Sequence, residues 1–430
     1  MFKLLKVVVS LCGALFVVVL AFGFLVLEDD PLVADGDAPT PEDVVEAREF
    51  VRGVRSATRS GGVTAAKIVT TEEQLNRVIK LGARFIPGFR GRLYTSEENV
   101  QGVASIPVPY VEKWMNLSAS VPELDGAFAL SEISVGRFSI PPVFALGVGR
   151  HVANIVVGDG FGDTVLGAAT RMDIDNGELV FDLAMNEMGS NGLMRGVFGT
   201  LRGSDMPQAD DVDRYYRDIR TAMDRGMLPT QGSYLPYLLY TVQAAFERSE
   251  TEGIENAYTS AIIALTLVCG ANDFLLIIGG MMGNDFSEGS DWKSNCSELT
   301  LNGRIDSRRH FTTAAALQAA SNRGFAVSMG EFKELYDTVK SGGFDFTDIT
   351  ANNSGIRMSN TMMAATRDDW PDLISRIRTE RDIMADFEGI PLLMSAEEFE
   401  TQYGDVESPE YDAMIGTIEA KIDGLSLHRP

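Results

Sequence analysis

The spacing of apolar residues changes once along this chain, and that change limits its possible folds more than any other feature. Between residues 92 and 185, apolar side chains largely alternate with polar ones. From about residue 205 to the end they recur every three or four positions. Period two lines one face of a strand, and period 3.6 lines one face of a helix. The predicted class is therefore α+β: an N-terminal helix plus antiparallel sheet domain, followed by a mostly α-helical domain. The boundaries read as 40–202 and 205–430, and a chain of 430 residues can build two cores.

In the first domain, Thr40 precedes Pro41, Glu42 and Asp43, a strong helix start. A second helix follows Thr71, with Leu75, Val78, Ile79 and Phe85 at helical spacing. Alternation then begins: Val100, Ala104, Ile106 and Val108 share one face of a strand, and Met115, Leu117, Ala119 and Val121 one face of the next. The phase shifts between Ile133–Val135 and Phe138–Ile140, as at a β-bulge. A helix over 143–156 would carry His151 as a packed or exposed residue. Asn176-Gly177, between Met172–Ile174 and Leu179–Met185, predicts a two-residue hairpin turn.

The second domain reads as helices over about 210–228, 235–248, 254–268, 396–403 and 409–425. Residues 261–283 are the most apolar internal run, but Asn272-Asp273 and Gly279-Gly280 break it into pieces too short to span a bilayer. Ser395 and Glu398 have capping-box spacing. His428 falls in a predicted frayed tail.

Residues 1–27 read as a membrane anchor. Lys3 and Lys6 precede VVVSLCGALFVVVLAFGFLVL, and Glu28-Asp29-Asp30 follow. Positive charge before and negative after places the body outside the cytoplasm: a single-pass inner-membrane protein with a periplasmic body. A cleaved signal peptide that leaves the protein in the periplasm is the competing reading. Leu11 before Cys12 excludes a lipoprotein cysteine. Residues 28–39 read as a linker. The formal net charge of −24 excludes nucleic acid as a partner. No phosphate-binding glycine loop, Gly-x-Ser-x-Gly elbow or Cys-x-x-Cys is present. Cys269 and Cys296 form a disulfide in an exported body, or Cys269 is simply a buried apolar side chain.

Ligand-type side chains concentrate in residues 302–358. Asp306 or Ser307 caps a predicted helix over 308–322, which carries His310 and is followed by Gly324 as its breaker. A helix over 325–338 places Glu331, Glu334 and Asp337 at steps of three, on one side. Thr347 or Asp348 caps a third helix with Asn352 one turn on, and Gly355 leaves room for a neighbouring helix. Carboxylates facing carboxylates need a cation or a shared proton between them; His310 comes first, then Lys333, Arg304 or a metal ion. Three readings remain: a structural tie between helices, a catalytic or metal site, or a solvated acidic face.

The pattern Asp306-x3-His310-Phe311, Gly330-x3-Glu334-Leu335-x-Asp337, Asp348-x3-Asn352-x2-Gly355 resembles the VanZ-like family. It also resembles a related group of uncharacterised bacterial envelope lipoproteins around Lys333-Glu334-Leu335-Tyr336-Asp337. The likeness covers only 302–358, and Arg323, Lys333 and Lys340 suggest a soluble or peripheral version of a module that otherwise spans membranes. The first domain has a fainter likeness to tubular lipid-binding domains of bacterial envelopes.

The expected function is thus binding or assembly at the cell envelope, with lipid or another envelope component as ligand and the inner membrane as partner. The alternative is a hydrolase or transferase acting on an envelope lipid or glycan. It would use His310, Glu334, Asp337 and Asp348 as catalytic residues, with Asp306, Asn352 and Gly355 structural. A divalent metal would take His310, Glu331, Glu334 and Asp348 as ligands.

Overall fold

A computed structural model describes residues 23, 26–60, 66–96, 99–108, 111–122, 131–141, 144, 147, 150–151, 169–175, 177–183, 206–271, 296–340 and 342–429. They fall into two compact units: residues up to 37 with 50–183, and 38–49 with 206–429. Each has its own core, and the chain is α+β. Most of the predicted anchor and of the predicted 143–156 helix lies outside the described residues. Within that helix His151 is described, and it is exposed. Among the described residues no helix is long and apolar enough to cross a membrane.

The first unit is built on strands β1 (Leu27–Glu28), β3 (Arg90–Thr95), β4 (Asn99–Val108), β5 (Lys113–Pro122), β6 (Glu132–Val135) and β7 (Phe138–Ile140). They form an antiparallel sheet in the order β3-β4-β5-β6-β7, with β1 also on β5. A second sheet runs β2 (Ala66–Thr71), β9 (Glu178–Leu183), β8 (Ala169–Asp175). Val100, Met172 and Leu179 join the two sheets in one core, with Leu75, Leu93 and Phe181 against them. Asp175 pairs with Glu178 where the hairpin was expected, and Gly177 has φ +84°. The phase shift after Val135 is a turn, not a bulge. Val135 pairs directly with Phe138, and Gly136 takes the positive φ that a tight hairpin needs.

Helix α2 (Glu72–Ala83) guards the outer edge of β3. Its Asn76 donates to the Leu93 carbonyl at 2.8 Å and accepts from the Leu93 amide at 2.7 Å, as a neighbouring strand would. Glu72 accepts from the Thr95 amide at 2.8 Å. At the other end, residues 28–33 are not a free linker. Asn116 is buried in β5, donates to the Asp30 carbonyl and accepts from the Leu32 amide, and Ser105 accepts from the Val33 amide.

The second unit is helical: α3 (Ala209–Asp224), α4 (Leu235–Glu252), α5 (Ile254–Cys269), α6 (Ile305–Ala320), α7 (Arg323–Lys340), α8 (Phe346–Ala364), α9 (Trp370–Arg376), α10 (Ala396–Tyr403) and α11 (Pro409–Asp423). Two short parallel strands, β10 (Gln231–Ser233) and β11 (Glu298–Thr300), complete it. Helix α5 is buried from Ala257 to Cys269, as its apolar run requires. Cys269 is joined to Cys296 by a disulfide, with Cα atoms 5.1 Å apart. The division between units falls inside α1 (Pro41–Ser60), which the sequence assigns whole to the first domain. Its first turns belong with the helical unit because Val44 and Ala47 are buried and the Arg48 guanidinium sits 4.2 Å from the Tyr336 ring centroid. His428 is not frayed: its Nδ1 is 2.8 Å from the Thr361 hydroxyl, and burial pushes its pKa down to about 4.

Candidate functional site

Helices α6, α7 and α8 bring the ligand-type residues together. Helix α6 starts at Ile305 after Arg304, with no side-chain cap from Asp306 or Ser307. It ends at Ala320 with Ser321 as its C-cap, within two residues of the expected Asn322, but Gly324 is not the breaker: it lies inside α7, and the Asn322 side chain accepts from the Phe325 amide at 2.9 Å. Helix α8 is capped by Asp345, not by Thr347 or Asp348: Asp345 Oδ1 accepts from the Thr347 amide at 2.8 Å. Phe344, just before, pairs with Met394 through two backbone hydrogen bonds, and Gly343 passes so close to the Met394 carbonyl that a Cβ would lie 2.1 Å from it. Phe344 and Phe346 then pack with Phe399, Tyr403 and Tyr411, which fixes the start of α8. A Cβ at Gly355 would lie 2.2 Å from the Phe311 carbonyl, so α8 and α6 cross backbone to backbone there.

That crossing sets His310 against α8. Its Nε2 is 2.9 Å from Asp348 Oδ2, and its Nδ1 is 3.1 Å from Asn352 Oδ1. Both ring nitrogens face oxygen, an arrangement that suits the imidazolium, which donates from both. Burial opposes that charge, but the hydrogen bond and charge of Asp348 outweigh it and raise the His310 pKa. Asp348 is also buried, yet His310, Lys333 and Arg304 hold its carboxyl below the usual range.

Lys333 is the second cation. Its Nζ donates to Glu334 Oε1 at 3.0 Å and Asp337 Oδ2 at 2.8 Å, and lies 3.6 Å from Asp348 Oδ2. Burial raises the Glu334 pKa to about 7, against the pull of Lys333 and His310. Glu334 Oε2 accepts from the Asp345 amide at 3.2 Å. Arg304 is the third cation: it donates to the Thr347 hydroxyl and lies 3.3 Å from Asp345 and 3.8 Å from Asp348. Cations and acids therefore alternate through the cluster.

The structure thus gathers His310, Glu334, Asp348 and Asn352, and Lys333 joins Asp337 to them. Glu331 lies apart, its Oε1 accepting from the Tyr411 hydroxyl at 2.9 Å. Steps of three turn a helix by about 60° each time, so Glu331 faces α11 while Glu334 faces α8. The predicted metal set of His310, Glu331, Glu334 and Asp348 therefore does not converge. Among the described residues, the group able to hold a metal ion is Asp306, His310 and Asp348, with ligand atoms within 4.8 Å of one another. Lys333 and Arg304 flank Asp348 in that group and already supply positive charge to it, so the donor set fits a proton better than a divalent ion.

Asp345 and Tyr411 were not legible as site residues. Asp345-x-Thr347 is a usable capping signal, whereas nothing in the sequence ties Tyr411 to Glu331 across eighty positions. Compared with protein family models, characterised proteins and solved structures, the chain matches none.

Proposed function

We propose that this is an exported, membrane-anchored protein of the bacterial cell envelope that serves binding or assembly there, with lipid or another envelope component as ligand. The observation that carries the reading is the Cys269–Cys296 disulfide, since such bonds persist in oxidising compartments. Two lysines, an apolar run and three acids at residues 3–30 agree with it. In this reading residues 302–358 are a VanZ-like module, and the His310 network ties its helices together. The alternation of Asp348, His310, Lys333, Glu334 and Arg304 supports that tie, because the buried Asp348, His310 and Glu334 each meet an opposite charge, two of them from the partly exposed Lys333 and Arg304. Membrane fractionation tests the proposal. The protein is expected in the inner-membrane fraction, with both cysteines unreactive until reduced; a soluble cytoplasmic pool with free thiols would overturn it.

One observation favours catalysis on an envelope lipid or glycan instead: the His310–Asp348 pair, 2.9 Å apart, ends beside the half-exposed Asp306. A general base held by a carboxylate has this form. His310→Ala and Glu334→Ala proteins that fold and keep full function in cells would exclude it.

A further inference from the structure

The chain enters the first unit without a spacer. Gly23 and Val26 are helical, and Leu27 is already the first residue of β1. Val26 is 7% exposed, so the end of that helix is buried. Beyond it, Leu27 and Glu28 pair with Met115 and Trp114, and Asn116 and Ser105 hold the backbone as far as Val33. The turn between β6 and β7 stands beside this entry. Strand β4 takes the whole of one edge of β5, so β1 and β6 share the other. The Gly136 amide donates to the Asn116 carbonyl at 2.7 Å, one residue along from Met115. Arg137, at the tip of the turn, has its Nε 3.9 Å from Glu28 Oε1. Phe138, next to it, is 44% exposed.

We propose that the first unit sits directly on the phospholipid surface, with Arg137 and Phe138 in the headgroup layer. The inference rests on the reading of residues 1–27 as a membrane anchor and adds which part of the body that anchor brings to the lipid. Length decides it. The uncharged, mostly apolar run extends from Val7 to Leu27. Coiled as a helix, residues 7–26 measure about 30 Å, the thickness of the hydrocarbon core itself. None of the run is left over as a tether, so Leu27 comes out at the boundary between hydrocarbon and headgroups, and the sheet begins there. Whatever stands beside Leu27 shares that depth, and the β6–β7 turn does. An exposed aromatic ring next to a long cationic side chain suits this layer, since the ring prefers the interface and the guanidinium reaches the headgroups. The acids after the run do not oppose the contact: Glu28 accepts from Asn116 Nδ2 at 2.6 Å and faces Arg137, and Asp29 is paired with Lys113. With a net charge of −24 the chain has no general attraction for anionic lipid, so the contact comes from the missing spacer and not from charge.

The test uses the full chain, with Cys12→Ser to remove the thiol outside the disulfide, reconstituted into phosphatidylcholine vesicles that carry a nitroxide on some headgroups. One cysteine is added at a time and given a bimane label. The label at Ser139→Cys, next to Phe138, should lose most of its emission to the nitroxide. At Ser96→Cys it should keep its emission, because the ladder runs five residues, about 17 Å, from Leu117 beside the β6–β7 turn to Pro122 beside the Ser96 end. An insert of about ten glycine and serine residues between Val26 and Leu27 adds a coil of about 17 Å and should restore emission at position 139. Flotation with the vesicles separates this inference from the anchor it rests on. Protein that fails to float overturns both. Protein that floats with no loss of emission at position 139, with equal loss at both positions, or with a loss that survives the insert overturns the seating alone.

Discussion

Glu334 gives the helical unit its pH response. Its carboxyl titrates near pH 7 in the folded protein and near 4.5 as a free side chain, so the folded state holds the proton more tightly. The stability this contributes is fully present below pH 4.5 and is lost as pH rises through about 7. His310, also raised, acts in the same direction from pH 6.5 upward. Asp348, lowered, acts oppositely: its contribution is present above pH 3.8 and is lost on acidification through its folded value. The melting temperature should therefore peak near pH 5 and fall towards pH 8, with Glu334 accounting for about 3 kcal/mol at most. Glu334→Gln should flatten that fall; an equally steep fall in the variant would assign it elsewhere. His310→Ala removes the hydrogen bond that Asp348 receives at 2.9 Å and should cost about 3 kcal/mol at pH 6, read from denaturant unfolding. Arg308 presents the opposite case. It is fully buried, none of its three guanidinium nitrogens has a hydrogen-bond partner among the described residues, and burial pushes its pKa down to about 10. A lone buried charge is a cost, so Arg308→Met should raise stability by about 1–3 kcal/mol; a loss of stability would show that the guanidinium is paired in solution.

At the scale of elements, the sequence placed the helices well and their contacts unevenly. Periodicity located α3, α4, α5, α10 and α11 to within a few residues, because burial on one side imposes the spacing directly. Glycine was as informative as the apolar pattern. Gly355 marks a close approach of α8 to α6, and Gly355→Ala should cost about 3 kcal/mol, since the clash is with backbone that cannot move aside. A variant that unfolds at the wild-type denaturant concentration would show that the two helices are further apart. Local signals failed where two were in competition. Asp306 and Ser307 are both good caps by type, yet Ser307 is buried and the chain enters α6 through Arg304. Asp345 does the capping that Asp348 was expected to do, which leaves Asp348 for His310. The divergence of Glu331 from Glu334 was present in the helical angle, but its partner Tyr411 lies in another element, and one-dimensional spacing carries no information on that.

Across the whole molecule, the formal charge of −24 sits on a body whose helical unit is closed by one covalent link. Cys269 and Cys296 are separated by 27 positions, and removing their bond should cost about 3–4 kcal/mol in the loop-entropy model. Cys296→Ser is the measurement, and stability equal to the oxidised protein would mean that the bond adds no constraint. Two units were legible from the change of period; the split of α1 between them was not, since one continuous amphipathic stripe gives no sign that its two ends belong to different cores. The start of the first unit has a mechanical consequence. The chain enters the sheet at Leu27, only two residues pair there as β1, and the next backbone groups are gripped by Asn116 and Ser105. A pull on the chain ahead of Leu27 is therefore borne first by β5 and then, through Ser105, by β4, before it can travel further along the polypeptide. Those two side chains act as the cleat on which a tethered sheet would hang.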